Sequence, residues 1–178
     1  MTNSKKWVID PMHSEVLFKI KHLVISTVTG SFNKFEGNII TTEDSFNNAK
    51  INFSIDVKSI DTNQEQRDAH LQSGDFFAAE EFPNIIFEST SFNFNGSPHN
   101  KLIGNLTMKG VTKPVELNVD YGGSEDNGHG VLKHGFEVTG IVNRIEFGMT
   151  WNKLTDTGGL GLGENIKLIA NIQVAEEI

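Results

Sequence analysis

The stretch QRDAHLQSGDFF, residues 66–77, brings an arginine, two aspartates and a histidine together ahead of two adjacent phenylalanines. Arg67 and His70 are three residues apart and share a face if the segment is helical, with Asp68 beside them. An Asp–His pair in a cleft could do general acid–base work, yet the sequence supplies no nucleophile or oxyanion hole to accompany it. Three uses stay open: proton transfer, anchoring of a helical corner, and contact with a ligand head group. His13, Glu15, His22, Asp68, His70, His129 and His134 could each ligate a metal. No HxH or HExxH spacing joins them, so neither a metal nor another cofactor is expected. His22 falls in phase with apolar neighbours, as a hydrogen-bonded core histidine would. The run GGLGLGEN (158–165) lacks GxGxxG, a following Lys-Ser/Thr and a following helix, so it reads as a turn and not as a phosphate cradle.

The elements that must hold these residues are strands. INFSIDVK sets Ile51, Phe53, Ile55 and Val57 against Asn52, Ser54, Asp56 and Lys58, the period-two pattern of a half-buried antiparallel strand. SEVLFKIKH, VELNVDY and IKLIANIQV alternate in the same way, the last through Ile166, Leu168, Ala170, Ile172 and Val174. Weaker versions at 32–41, 85–94, 101–109 and 131–142 bring the count to about eight. Turn residues separate them at Asn95–Pro98, Lys109–Gly110, Gly122–Gly123 and Gly158–Gly163. The expected fold is all-β, an antiparallel up-and-down barrel of about eight strands with a two-sheet sandwich as its rival. Residues 59–83 exceed any hairpin loop. Thr62–Glu65 matches a capping box, which predicts a helix from about 63 to 72 ended near Gly74 and a second short helix before Pro83, a helical insert around 62–82.

At 178 residues the chain suits one domain spanning 1–178. The net charge is −8 and the 15 Lys and Arg are scattered, without the basic stripe of a nucleic-acid binder. Cysteine is absent, which removes thiol catalysis, thiolate zinc sites and disulfides. MTNSKKWVIDP has no apolar signal-type region and no run of about 18 apolar residues occurs, so the expectation is a cytoplasmic protein without a transmembrane segment. Thirteen Phe stand against one Tyr and two Trp; phenylalanine brings apolar area without a polar handle, which suits a core or a wall that meets hydrocarbon. Alternation turns Val16, Phe18, Ile20, Phe53, Ile55, Val57, Phe87, Leu106, Leu117, Val119, Phe136 and Val138 inward. It leaves open whether they fill the barrel or line a channel.

Five stretches occur in an order that resembles the YceI-like family: WVIDPMHSEVLFKIKHL (7–23), GSFNKFEG (30–37), TNQEQRDAHLQSGDFFAAEEFPNIIFES (62–89), GNLTMKGVTKPVEL (104–117) and NRIEFGM (143–149). That resemblance implies a lipocalin-like barrel with an apolar channel for a polyisoprenoid or other long-chain amphiphile, non-catalytic, in a homodimer. It places Phe76 and Phe77 at the channel as cover or lining. It also places His13, Ser14, Arg67, His70 and Arg144 among the recurrent polar positions, where a mouth or head-group contact is expected. An enzyme acting on an amphiphile in the same cavity, and a filled barrel serving as an interaction module, are the alternatives.

Overall fold

Alternating side chains become pleated backbone throughout. The computed structural model describes residues 3–42, 45–153 and 161–178. Eleven strand segments run through them: β1 (Ser4–Ile9), β2 (Glu15–His22), β3 (Ser26–Phe32), β4 (Phe35–Thr42), β5 (Lys50–Asp56), β6 (Ile60–Asp61), β7 (Asn84–Asn93), β8 (Asn100–Met108), β9 (Val111–Asp126), β10 (Leu132–Asn143) and β11 (Leu162–Glu176). Six of them behave as three. β1 and β2 both lie antiparallel to β11, through Ile9↔Val174 and Glu15↔Asn171, so they are one long strand bent at Pro11–His13. β3 and β4 continue each other across residues 33–34, and β5 and β6 across the 3-10 turn Val57–Ser59. Counted this way, eight antiparallel strands follow one another in chain order and the last pairs with the first. This is the closed up-and-down barrel that the alternation predicts.

The bends are built from local chemistry. The Asp56 side chain accepts from the Lys58 N–H and starts the turn at Val57–Ser59. At the first, Asp10 accepts from the Met12 N–H, and Pro11 has no N–H to lose. Asp10 also takes the Lys133 ammonium at 2.8 Å and His13 Nδ1 at 2.8 Å, while Ser14 Oγ accepts from the Gln173 N–H. The Lys133 hydrogen bond holds the Asp10 pKa at about 2, against desolvation and with help from His13. Because folding lowers this pKa, the carboxylate adds stability above its unfolded value near 3.8. That contribution drains away as pH falls toward 2. Asp10→Asn is therefore expected to cost about 1–2 kcal/mol at pH 7, the shift being discounted for solvent screening. Wild type and variant should converge near pH 2 in urea titrations.

One end of the barrel is plugged. Phe46, from the β4–β5 connection, packs on Trp7, His134 and Phe136 with ring centroids 5.3, 4.9 and 5.2 Å away. Trp7 Nε1–H donates to Thr41 Oγ1, and the Tyr121 hydroxyl meets His134 Nδ1 at 2.7 Å. Burial pushes the His134 pKa below its ordinary value, which favours the neutral ring in this plug.

The insert gathers at the other end. Helix α1 spans Glu65–Gln72, and turns follow it where a second helix was expected. The capping box does not form. Asn63 takes φ +65° and Gln64 is extended, so Thr62 lies too far back to cap. Instead the Thr62 N–H and hydroxyl donate to Asp68, while Arg67 Nε and Nη2 donate to Thr62 Oγ1 and its carbonyl. Ser73, not Gly74, ends the helix. Lys109 Nζ donates to the Gly74 carbonyl, and the Phe82 ring covers Gly110, where a Cβ would stand 2.7 Å from it. The β2–β3 turn shares this end and carries Leu23 at φ +52° and Val24 at φ +67°. Such a conformation costs a non-glycine residue about 1–2 kcal/mol. Of the glycine-rich run, residues 158–160 lie outside the described residues; β11 already starts at Leu162, so residues 162–165 are strand where a turn was expected.

Candidate functional site

Between the aromatic plug and the insert lies a cavity of about 750 Å³. Every strand of the barrel contributes inward-phase side chains to it. Val16, Phe18 and Ile20 come from β2, Phe53 and Ile55 from β5, Phe87 from β7, Leu106 from β8, Leu117 and Val119 from β9, and Phe136 and Val138 from β10. Phe76 and Phe77, from the insert, also line it, and Phe77 meets Phe32 edge-on at 5.9 Å. The wall lies close on the backbone in places: a Cβ on Gly30 would overlap the Phe18 ring, so only glycine lets that ring lie across β3. The barrel is therefore hollow, and its wall is apolar except for Asn38 and Asn52 on one β4–β5 rung and a polar rim.

Val57 is a correction. The 3-10 turn that starts there rotates it out of the β5 phase, and it is buried outside the lining with its N–H donated to the Pro83 carbonyl. Sequence reading also passed over β11 as a wall. Ile166, Leu168, Ala170 and Ile172 all face the cavity, and their alternation was the signal that marks them. Met108 joins them in phase with Leu106 on β8, while Met149 and Trp151 come from turn positions without any period to betray them.

The polar rim sits at the insert end. Arg67, His70 and Arg144 border the cavity with His22, Asn152 and Lys153. His70 Nε2 meets Asp75 Oδ2 at 2.8 Å, and its ring stands edge-on to Phe76 and Trp151 at 5.1 and 4.7 Å. Asp75 thus orients an imidazole at the mouth. Arg67 spends Nε and Nη2 on Thr62, leaving Nη1 without a partner among the described residues. Arg144 is different. Only 1% of its surface is exposed, and it donates to the carbonyls of Gly163, Met149, Trp151 and Leu162. It clamps the β10–β11 connection, while burial pulls its pKa down and Glu164 partly offsets this.

His13 and Ser14 do not reach the mouth. They fasten the β1–β2 bend to Asp10 and β11, on stretches that do not line the cavity. His22 is exposed at the rim and not buried in the core. Among the described residues, no three His, Asp or Glu side chains converge as a metal site would require. No helix among the described residues is long and apolar enough to cross a membrane.

This geometry has relatives. A UPF0312 protein of Staphylococcus aureus is 38% identical over 174 residues, 97% of each chain. A Campylobacter jejuni YCEI protein of known structure is 28% identical, with a TM-score of 0.73 over 89% of this chain and 90% of that one. A polyisoprenoid binding domain from Saccharophagus degradans shares the fold, with a TM-score of 0.63 at 12% identity over 94% of this chain and 97% of that one. Residues 7–174 match the family model described as YceI-like domain, and the chain belongs to that family.

Proposed function

We propose that this protein is a non-catalytic binder and carrier of a polyisoprenoid or another long-chain amphiphile. One observation carries the reading: an apolar cavity of about 750 Å³, blocked by aromatics at one end and rimmed with polar groups at the other. Such a site takes a one-headed chain tail first, the tail toward Phe136 and the head toward Arg67 and His70. Each buried methylene contributes about 0.8 kcal/mol, so roughly ten or more of them offset the cost of association without specific polar contacts. The name of the Saccharophagus degradans domain points to the same ligand class. Cytoplasmic residence and a homodimer belong to the same proposal, to be checked by fractionation and sedimentation.

Mass spectrometry after organic extraction of the purified protein is the test. A stoichiometric prenyl or long-chain species is the expected result, as is saturable uptake of a long-chain prenol by stripped protein. Failure of both would overturn the proposal in favour of an interaction module. The His70–Asp75 contact at the rim supports a second reading, an enzyme that acts on the same amphiphile. That reading requires turnover of prenyl phosphates or esters that His70→Ala abolishes while binding persists.

A further inference from the structure

The β2–β3 turn has a composition its geometry does not favour. Consecutive left-handed residues are ordinarily Gly, Asn or Asp, yet Leu23 and Val24 occupy these positions at φ +52° and +67°. Val24 is 77% and Ile25 88% exposed. Exposed apolar residues are ordinary when scattered singly; here three are consecutive, on a strained tip that projects from the mouth. The Leu23 N–H donates to Gly161, whose own N–H donates to the Lys153 carbonyl, so the tip, Lys153 and the rim form adjacent rungs.

Behind the tip the outer wall is basic. Lys19 and Lys167 are Cα partners on neighbouring strands, with side chains on the same outer face, and Lys21 follows one pleat nearer the tip. Like charges set directly opposite each other repel. None of the three has an ion pair among the described residues, although the chain carries a net charge of −8. Glu164 and Glu15 are the nearby carboxylates, and Glu15 is engaged with Asn171. Ile141, 69% exposed, is the Cα partner of Lys167 on its other side. At about 3.4 Å per residue, Lys21 and Lys19 stand roughly 10 and 17 Å behind Val24. An apolar tip sunk ~5–10 Å into a bilayer interface would hold the Lys21 ammonium near phosphate level and Lys19 and Lys167 roughly 7–12 Å behind it, about one Debye length away, with Trp151 at the rim in the interfacial belt that suits tryptophan.

We propose that Leu23–Val24–Ile25 is a wedge that seats the cavity mouth on an anionic lipid surface, so that a ligand passes between bilayer and barrel without crossing water. The inference rests on the lipid-binding reading for its purpose, but not for its test. Val24→Asn/Ile25→Thr replaces two residues that do not line the cavity, and asparagine suits the left-handed position. Co-sedimentation with neutral phosphatidylcholine vesicles and with vesicles containing phosphatidylglycerol measures docking. Binding to the anionic vesicles should exceed binding to neutral ones at least tenfold. It should fall at least tenfold in the wedge variant, and Lys19→Gln/Lys21→Gln/Lys167→Gln should lose the anionic preference. Uptake of a prenol presented as a dilute monomer should be unchanged in the wedge variant, while uptake from vesicles slows at least tenfold. Equal vesicle binding by wild type and wedge variant overturns the proposal. So does a wedge variant that changes only self-association in light scattering, which would make the tip a contact between copies. Vesicle docking without uptake of any prenol would leave the wedge standing and sink the carrier.

Discussion

Ala170→Trp is expected to give a folded barrel that no longer takes up a long-chain prenol. Ala170 lies midway along β11, between its Cα partners Val16 and Val138, and all three face the cavity. An indole there enters open space, so the overpacking penalty of a filled core does not apply. The thermal midpoint should move by no more than a few degrees. What changes is the length of tail that can be buried. Shortening the buried stretch by about four methylenes removes roughly 3 kcal/mol, a hundredfold weakening. A titration with fluorescent or tritiated prenol reads that loss directly. Ala170→Asp makes the complementary case: a carboxylate facing the apolar wall, with no partner, resists ionising and should weaken both binding and stability. Undiminished uptake by a well-folded Ala170→Trp protein would place the ligand outside the barrel.

Arg144→Met should lower stability by about 3–4 kcal/mol, since charge-assisted hydrogen bonds contribute about 1.5–3 kcal/mol each and their abandoned acceptors stay partly buried. The carbonyls of Met149, Trp151 and Gly163 all lose their donor at once. Urea unfolding with an unchanged slope and a lowered midpoint is the readout. Arg144→Lys should recover less than half, because one ammonium cannot replace a planar fork that reaches several carbonyls. The same experiment separates two roles. A loss below about 1 kcal/mol accompanied by weaker ligand binding would mark Arg144 as a head-group contact and not a clamp.

What the sequence revealed follows from which physics is local. Period-two alternation reports directly which side chains face inward, and Phe18, Phe87, Leu117 and Val138 all line the cavity as their phase requires. It fails at Val57, where Asp56 captures the Lys58 N–H and bends the chain one residue earlier than the pattern shows. It fails again at Thr62–Glu65, where a left-handed Asn63 replaces the capping box with an Asp68–Thr62–Arg67 knot. Arg144 was legible as a special residue but not as a clamp, because its partners are backbone carbonyls from two other stretches and no side-chain code announces them. His13 and Ser14 stood out for the same kind of reason, and their service is to a bend in the wall. Whether the barrel was hollow lay beyond alternation altogether, since a filled and an open lumen present the same inward phase.

Strand β11 pairs with β10 on one edge and with both β1 and β2 on the other. Counted as eight strands, every other ladder joins neighbours in chain order, and this one joins residues at least 140 apart, as in His22↔Leu162. Seven strands can therefore zip progressively as they are made, while the ladder that closes the ring must wait for residues 162–176. Long-range closure of this kind is slow, on the order of milliseconds to seconds. Until it happens the phenylalanine wall is an open, curved sheet exposed to water and to other nascent chains. The last step of folding and the creation of the cavity are one event, because the space between plug and insert exists only once β11 has met β1 and β2.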